Sequence, residues 1–157
     1  MQPSKTDGVT FRKACKQDLP HIVELLADDP LGSARDDASL PLDDRYLKAF
    51  DALACDSNQL LAVADEGGTV IGCLQLSFIP NLTYKGMWRG QVEGVRIAKS
   101  RRGQSLGRRF MEWSIAECRA RGCGMVQLST HTTRPEAKRF YESLGFEASH
   151  VGMKRML

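Results

Sequence analysis

With 157 residues, 42% of them hydrophobic and 26% charged, the chain is sized for one domain with a substantial core and has ordinary globular composition. A net charge of +3, with arginines scattered except at residues 101–109, argues against a nucleic-acid footprint, and no apolar run approaches the ~18 residues of a membrane span. Residues 1–8 lack the apolar region of a signal peptide, and five cysteines without Cys-x-x-Cys spacing read as reduced thiols, not as a disulfide or metal framework.

Val9–Ala14 alternates like a half-buried strand. Asp18 is expected to cap a helix running to Leu26, with Pro20 in its first turn and Ile22, Leu25 and Leu26 on its apolar face. Residues 29–42 hold Pro30, Gly32, Ser33, Ser39 and Pro41 and read as a loop. The acidic pairs Asp28-Asp29 and Asp36-Asp37 read as solvated faces, or as a lip that attracts a cationic substrate. A second helix is expected over Asp43–Ala54, where Tyr46, Leu47, Phe50 and Leu53 follow helical spacing. Residues 59–64 and 69–78 read as strands joined through Glu66-Gly67-Gly68, a hairpin signal. A polar loop over 81–88 then leads to a strand over 91–98.

The next segment is the most informative. Arg101-Arg102-Gly103-Gln104-Ser105-Leu106-Gly107 lies between that strand and a helix-like run over 108–117. A basic, glycine-containing turn before a helix suits phosphate: its N–H groups lack intrahelical partners, the helix dipole favours an anion, and arginines add charge-assisted bonds. The spacing fits neither Gly-x-x-x-x-Gly-Lys-Ser/Thr nor Gly-x-Gly-x-x-Gly. Residues 125–130 read as a short buried strand. A helix is expected from about Thr133, with Glu136 as capping-box partner, Pro135 in the first turn, Ala137, Phe140, Tyr141 and Leu144 on one face, and Gly145 as the stop. Residues 149–156 read as a last strand.

Arg102-x-x-Ser105-x-Gly107 resembles the Arg/Gln-x-x-Gly-x-Gly/Ala acetyl-CoA loop of the GNAT superfamily of N-acetyltransferases, with Ser105 where a glycine is usual. The run Ala137-x-x-Phe140-Tyr141-Glu142-x-Leu144-Gly145-Phe146 is similar to that superfamily's second signature, in the expected order. The resemblance implies a single α+β domain: a mixed, mostly antiparallel sheet of about seven strands flanked by about four helices. It implies acetyl-CoA as cosubstrate, with Val95, Arg96 and Ile97 along the pantetheine arm and Arg102, Gly103, Gln104, Ser105, Leu106, Gly107 and Arg108 around the pyrophosphate. Tyr141 matches the residue that protonates the departing thiolate, whereas Arg134 stands where an asparagine often bonds pantetheine.

Chemistry adds one candidate. An attacking ammonium must lose a proton, and Glu93, two residues before Val95, is the expected base, directly or through water. A strand N–H could hold the carbonyl oxygen as it becomes negative. His131, after a strand, is a weaker candidate for base or substrate contact. The expectation is an N-acetyltransferase acting on a primary amine of a small molecule by direct attack in a ternary complex. Alternatives are a peptide or lysine acetyltransferase, or a CoA-binding regulator without catalysis. A cytoplasmic location, a possible homodimer, and no metal, membrane or nucleic-acid partner complete the expectation.

Overall fold

The computed structural model describes residues 8–157, so the expectation drawn from the first residues lies, Gly8 apart, outside the described residues. The elements in chain order are β1 (Val9–Lys13), α1 (Leu19–Ala27), α2 (Asp44–Cys55), β2 (Gln59–Glu66), β3 (Thr69–Ile79), α3 (Thr83–Gly86), β4 (Arg89–Ile97), α4 (Leu106–Ala120), β5 (Met125–Leu128) and α5 (Pro135–Glu142). They build one sheet in the order β1-β2-β3-β4-β5. Its first three pairings are antiparallel, and β4 pairs β5 in parallel through the α4 crossover.

Among the described residues the sheet has five strands, not about seven. Residues 149–156 form no ladder: Val151, Met153 and Met156 are 89–93% exposed. Their apolar residues hinted at a strand, but a segment with no neighbouring strand cannot satisfy its backbone as sheet. The polar loop before β4 contains the single turn α3, in which Tyr84 and Lys85 take left-handed φ of 53° and 57°.

Two local capping expectations change. Asp18 does not cap α1 through its side chain; its carboxylate accepts the Cys15 N–H at 2.8 Å and two Arg12 guanidinium bonds at 2.7 and 2.9 Å. An arginine on β1 outcompetes a helix end for that oxygen, because the charge-assisted pair is the stronger bond. Arg134, not Thr133, precedes α5, and Thr133 Oγ1 instead lies 2.7 Å from His131 Nδ1. The hairpin signal gives the expected turn, with Gly67 and Gly68 at φ +59° and +92°.

The core lies on both faces of the sheet. Beneath α4, Leu74, Leu76, Val92, Leu106, Phe110 and Met111 are buried together. Beneath α1 and α2, the cluster is Ile22, Val23, Phe50, Val63, Val70 and Cys73. Gly90 brings α4 close to β4, since a Cβ there would lie 2.3 Å from Cys118 Sγ.

Two departures from regular sheet create an opening. Opposite Leu74, β4 carries one extra residue: Cys73 pairs Arg96 while Gln75 pairs Glu93, and Gly94 sits at φ +61°. Such a bulge bends the strand and increases its twist. The β4–β5 ladder then ends at Val92 and Leu128, although β4 stays paired to β3 as far as Ile97. Beyond Val92 the outer edge of β4 has no strand beside it among the described residues.

Candidate active site

The opening between β4 and β5 is bounded by the bulge, the loop before α4, and α5. Side chains alternate along a strand. Val95 and Ile97 pack with the α4-side cluster, whereas Arg96 turns to the opposite face. Val95 and Ile97 thus line the open edge, and Arg96 contributes only backbone there.

The loop before α4 presents a row of backbone donors at the start of the helix. Ala98 N–H still bonds Ile71 O at 2.9 Å, a tight turn follows over Lys99–Arg101, and Gly103 and Ser105 adopt φ of +76° and +60°. Ser105 therefore takes the left-handed geometry that glycine favours. The first helical bond runs from Arg109 N–H to Ser105 O at 3.0 Å. Among the described residues no N–H from Gly103 through Arg108 meets a protein acceptor. These donors, at the positive end of a fifteen-residue helix, suit a phosphate group. Leu106 is buried and anchors the loop in the core, so it offers backbone only. Gly107 faces the Phe140 ring at 3.5 Å from where a Cβ would stand, which ties the loop to α5.

The arginines of this loop have protein partners too. Arg101 pairs Glu66, Arg102 Nε bonds Ile97 O at 3.0 Å, and Arg108 reaches Ser143 Oγ at 2.9 Å. Arg102 and Arg108 remain exposed, with guanidinium donors to spare for an anion, while Gln104 bonds Ser100 O.

Tyr141 lies on α5, edge-on to Phe140 at 5.2 Å and to Phe146 at 6.0 Å. Burial pushes its hydroxyl above the ordinary value of 10, against the opposing charges of Arg96 and Arg134. It is protonated at neutral pH, as a proton donor must be. Glu93 sits on the other side of the bulge, exposed and without a hydrogen-bond or ion-pair partner among the described residues. His131 is exposed, and its Nδ1 lies 2.7 Å from Thr133 Oγ1 and 3.2 Å from the Thr133 N–H.

An ion-pair hub escaped sequence reasoning. Asp29 is 11% exposed at its side chain and sits between Arg96 Nε, at 2.8 Å, and Arg134, also at 2.8 Å. The Arg96 contact lacks hydrogen-bond alignment. Oδ1 also accepts the N–H groups of Leu31 and Gly32 at 2.8 and 2.7 Å. Burial would raise its pKa, but the Gly32 N–H, Arg134 and the charge of Arg96 hold it down to about 2. Asp28 pairs Lys99, Asp36 accepts from Tyr46, and Asp37 is bonded by Ser39, so each of these carboxylates has a protein partner. Among the described residues no helix is long and apolar enough to cross a membrane.

Comparison with known proteins places the fold. Residues 19–146 match the model of the "Acetyltransferase (GNAT) family". Over 112 residues the chain is 30% identical to an aminoalkylphosphonate N-acetyltransferase of Salmonella typhimurium, covering 71% of this chain and 72% of that one. A crystal structure described as a transcriptional regulator from Bacillus halodurans superposes with a TM-score of 0.93 at 45% identity, over 95% of this chain and 99% of the other. A putative acetyltransferase from Agrobacterium tumefaciens gives 0.83 at 27% identity, over 94% and 99%.

Proposed function

Because the chain belongs to the GNAT acetyltransferase family and is an N-acetyltransferase, we propose that it moves the acetyl group of acetyl-CoA to the primary amine of a small molecule. The carrying observation is the run of unpartnered N–H groups from Gly103 to Arg108, one loop away from an open strand edge and a protonated, half-buried Tyr141. The cradle and the exposed guanidinium groups of Arg102 and Arg108 hold the pyrophosphate; Val95 and Ile97 flank the pantetheine arm.

The chemistry needs no covalent enzyme intermediate. A neutral amine adds to the thioester carbonyl, a β4 N–H beside the bulge supports the oxygen as it becomes negative, and the C–S bond breaks. Tyr141 protonates the leaving thiolate, while Glu93 takes the proton lost by the amine, directly or through water. A small-molecule acceptor is supported by the Salmonella relative, whose name specifies an aminoalkylphosphonate.

The test is thiol release from acetyl-CoA with a panel of amines, amino acids and short peptides. Tyr141→Phe should lower kcat about 100-fold while acetyl-CoA affinity changes less than about twofold. Unchanged turnover in that variant would remove Tyr141 from the mechanism. A second reading, a CoA-binding regulator without turnover, draws on the name of the Bacillus halodurans relative. It is favoured if acetyl-CoA binds and no acceptor, peptides included, releases thiol.

A further inference from the structure

The sheet face opposite α4 divides in two. Leu61, Val63, Val70 and Cys73 lie in the apolar cluster beneath α1 and α2. Beyond that cluster the same face turns polar. Gln59 Oε1 accepts from Gln75 Nε2 at 3.1 Å and from Ser77 Oγ at 2.8 Å, and Gln127 Nε2 donates to Gln91 Oε1 at 2.8 Å. The register aligns these residues in rows across β2, β3, β4 and β5: Gln59 opposite Ser77, Ser77 opposite Gln91, Gln91 opposite Gln127. Half-buried amides, fixed by one another, make a floor with hydrogen-bonding capacity left over.

Two charges bracket this floor. Gly90 and Val92 face α4, so the alternation sets Arg89, Gln91 and Glu93 together on the polar face. Glu93, beside the bulge, has no partner among the described residues. At the other end, Arg89 Nε is closed off from solvent and meets no acceptor, nor does any other guanidinium donor of Arg89 bond a described residue. The two do not pair with each other in the structure; four residues at ~3.3 Å each separate their Cα atoms by about 13 Å of strand. Arg96 and Arg101 also carry a shielded Nε without a hydrogen-bond acceptor, but each has a carboxylate partner; half-buried Arg89 has none among the described residues, which leaves its guanidinium suited to an anion.

We infer that the acceptor is a short zwitterionic amine, its ammonium at Glu93 beside the acetyl group and its anionic end, a carboxylate or a phosphonate, on Arg89. This rests on the transferase reading above and narrows its substrate class. The floor of Gln75, Ser77, Gln91 and Gln127 spans the interval and binds the polar backbone of such a molecule. A long apolar or polycationic amine would leave Arg89 unpaired or repelled, which sets specificity against it.

The test compares ω-aminocarboxylates and ω-aminophosphonates of two to four carbons with amino alcohols of the same length, at saturating acetyl-CoA. The wild type should favour the anionic members in kcat/KM by about tenfold or more, the worth of a charge-assisted bond. Arg89→Gln should erase that preference, through KM, and leave the amino alcohols within about twofold; Arg89→Lys should restore part of it. Equal losses in both series, or an undiminished preference, would overturn the assignment. Should no amine release thiol, the transferase reading fails by itself, and calorimetry on CoA-loaded protein still decides Arg89. Binding of the anionic compounds that Arg89→Gln abolishes supports the site; binding of neither series, or of both equally, sinks it.

Discussion

Ser105 holds φ +60° and ψ +3° directly before α4, and its hydroxyl makes no capping bond there. A side chain in that region is strained by about 1 kcal/mol or more, where glycine is not. The loop keeps its shape because its neighbours over-determine it: Leu106 is locked in the core and Arg102 reaches back to Ile97 O. Ser105→Gly should therefore raise unfolding free energy by about 0.5–1 kcal/mol, net of the extra chain entropy of glycine, as read from urea denaturation. Acetyl-CoA affinity should stay within about twofold, since the cradle uses backbone N–H groups. A destabilised glycine variant would show that the hydroxyl contributes something the geometry does not reveal. This residue also shows what a motif can convey: the loop was legible because its glycines and arginines are adjacent in sequence. That Ser105 would take the strained conformation depended on packing from elsewhere.

Asp29 links three elements: α5 through Arg134, β4 through Arg96, and the turn after α1 through the Leu31 and Gly32 N–H groups. Arg134 and Arg96 both act on the pKa of Tyr141, so the hub also tunes the electrostatics of the proposed proton donor. Asp29→Asn should leave two cationic groups facing a neutral amide and cost about 3 kcal/mol or more of stability, as for a broken buried pair. With both arginines freed of their counter-charge, the Tyr141 pKa should fall, and the alkaline limb of kcat should move to lower pH. A variant with wild-type stability and an unmoved alkaline limb would reduce the hub to a surface contact. Sequence reading took Asp28-Asp29 as a solvated or substrate-attracting pair, because both arginines lie far away in the chain. Hairpin, helices and α4 loop carry local signatures, whereas the Gly94 bulge and the β4–β5 splay are set by register between strands, which periodicity does not encode.

Across the whole molecule, the sheet face opposite α4 is pinned at two places by a buried or half-buried carboxylate held by arginine, Asp18 by Arg12 and Asp29 by Arg96, and this sets the acid limit of the fold. Arg12 hydrogen bonds, against the opposing cost of burial and with help from the Cys15 N–H, hold Asp18 down to about 2 from an ordinary 3.8. The same Arg12 also bonds Asp65 at 2.8 Å and thereby ties β1 to β2. Asp29 is likewise near 2. Both groups have folded values below their unfolded ones, so between about pH 4 and pH 2 the unfolded chain binds more protons and stability falls as pH falls. Above about pH 4 the contribution is complete, about 2 kcal/mol each as an upper figure. Against a total of roughly 5–15 kcal/mol, losing both is a large fraction. Denaturant midpoints measured from pH 7 to pH 2 should be level down to about pH 5 and then drop. Asp18→Asn should lie lower at pH 7 and fall less steeply below pH 4, because one proton-linked group has been removed. A wild-type curve that stays flat to pH 2, or a variant with an unchanged acid slope, would mean that the Arg12–Asp18 pair is not what couples this fold to protons.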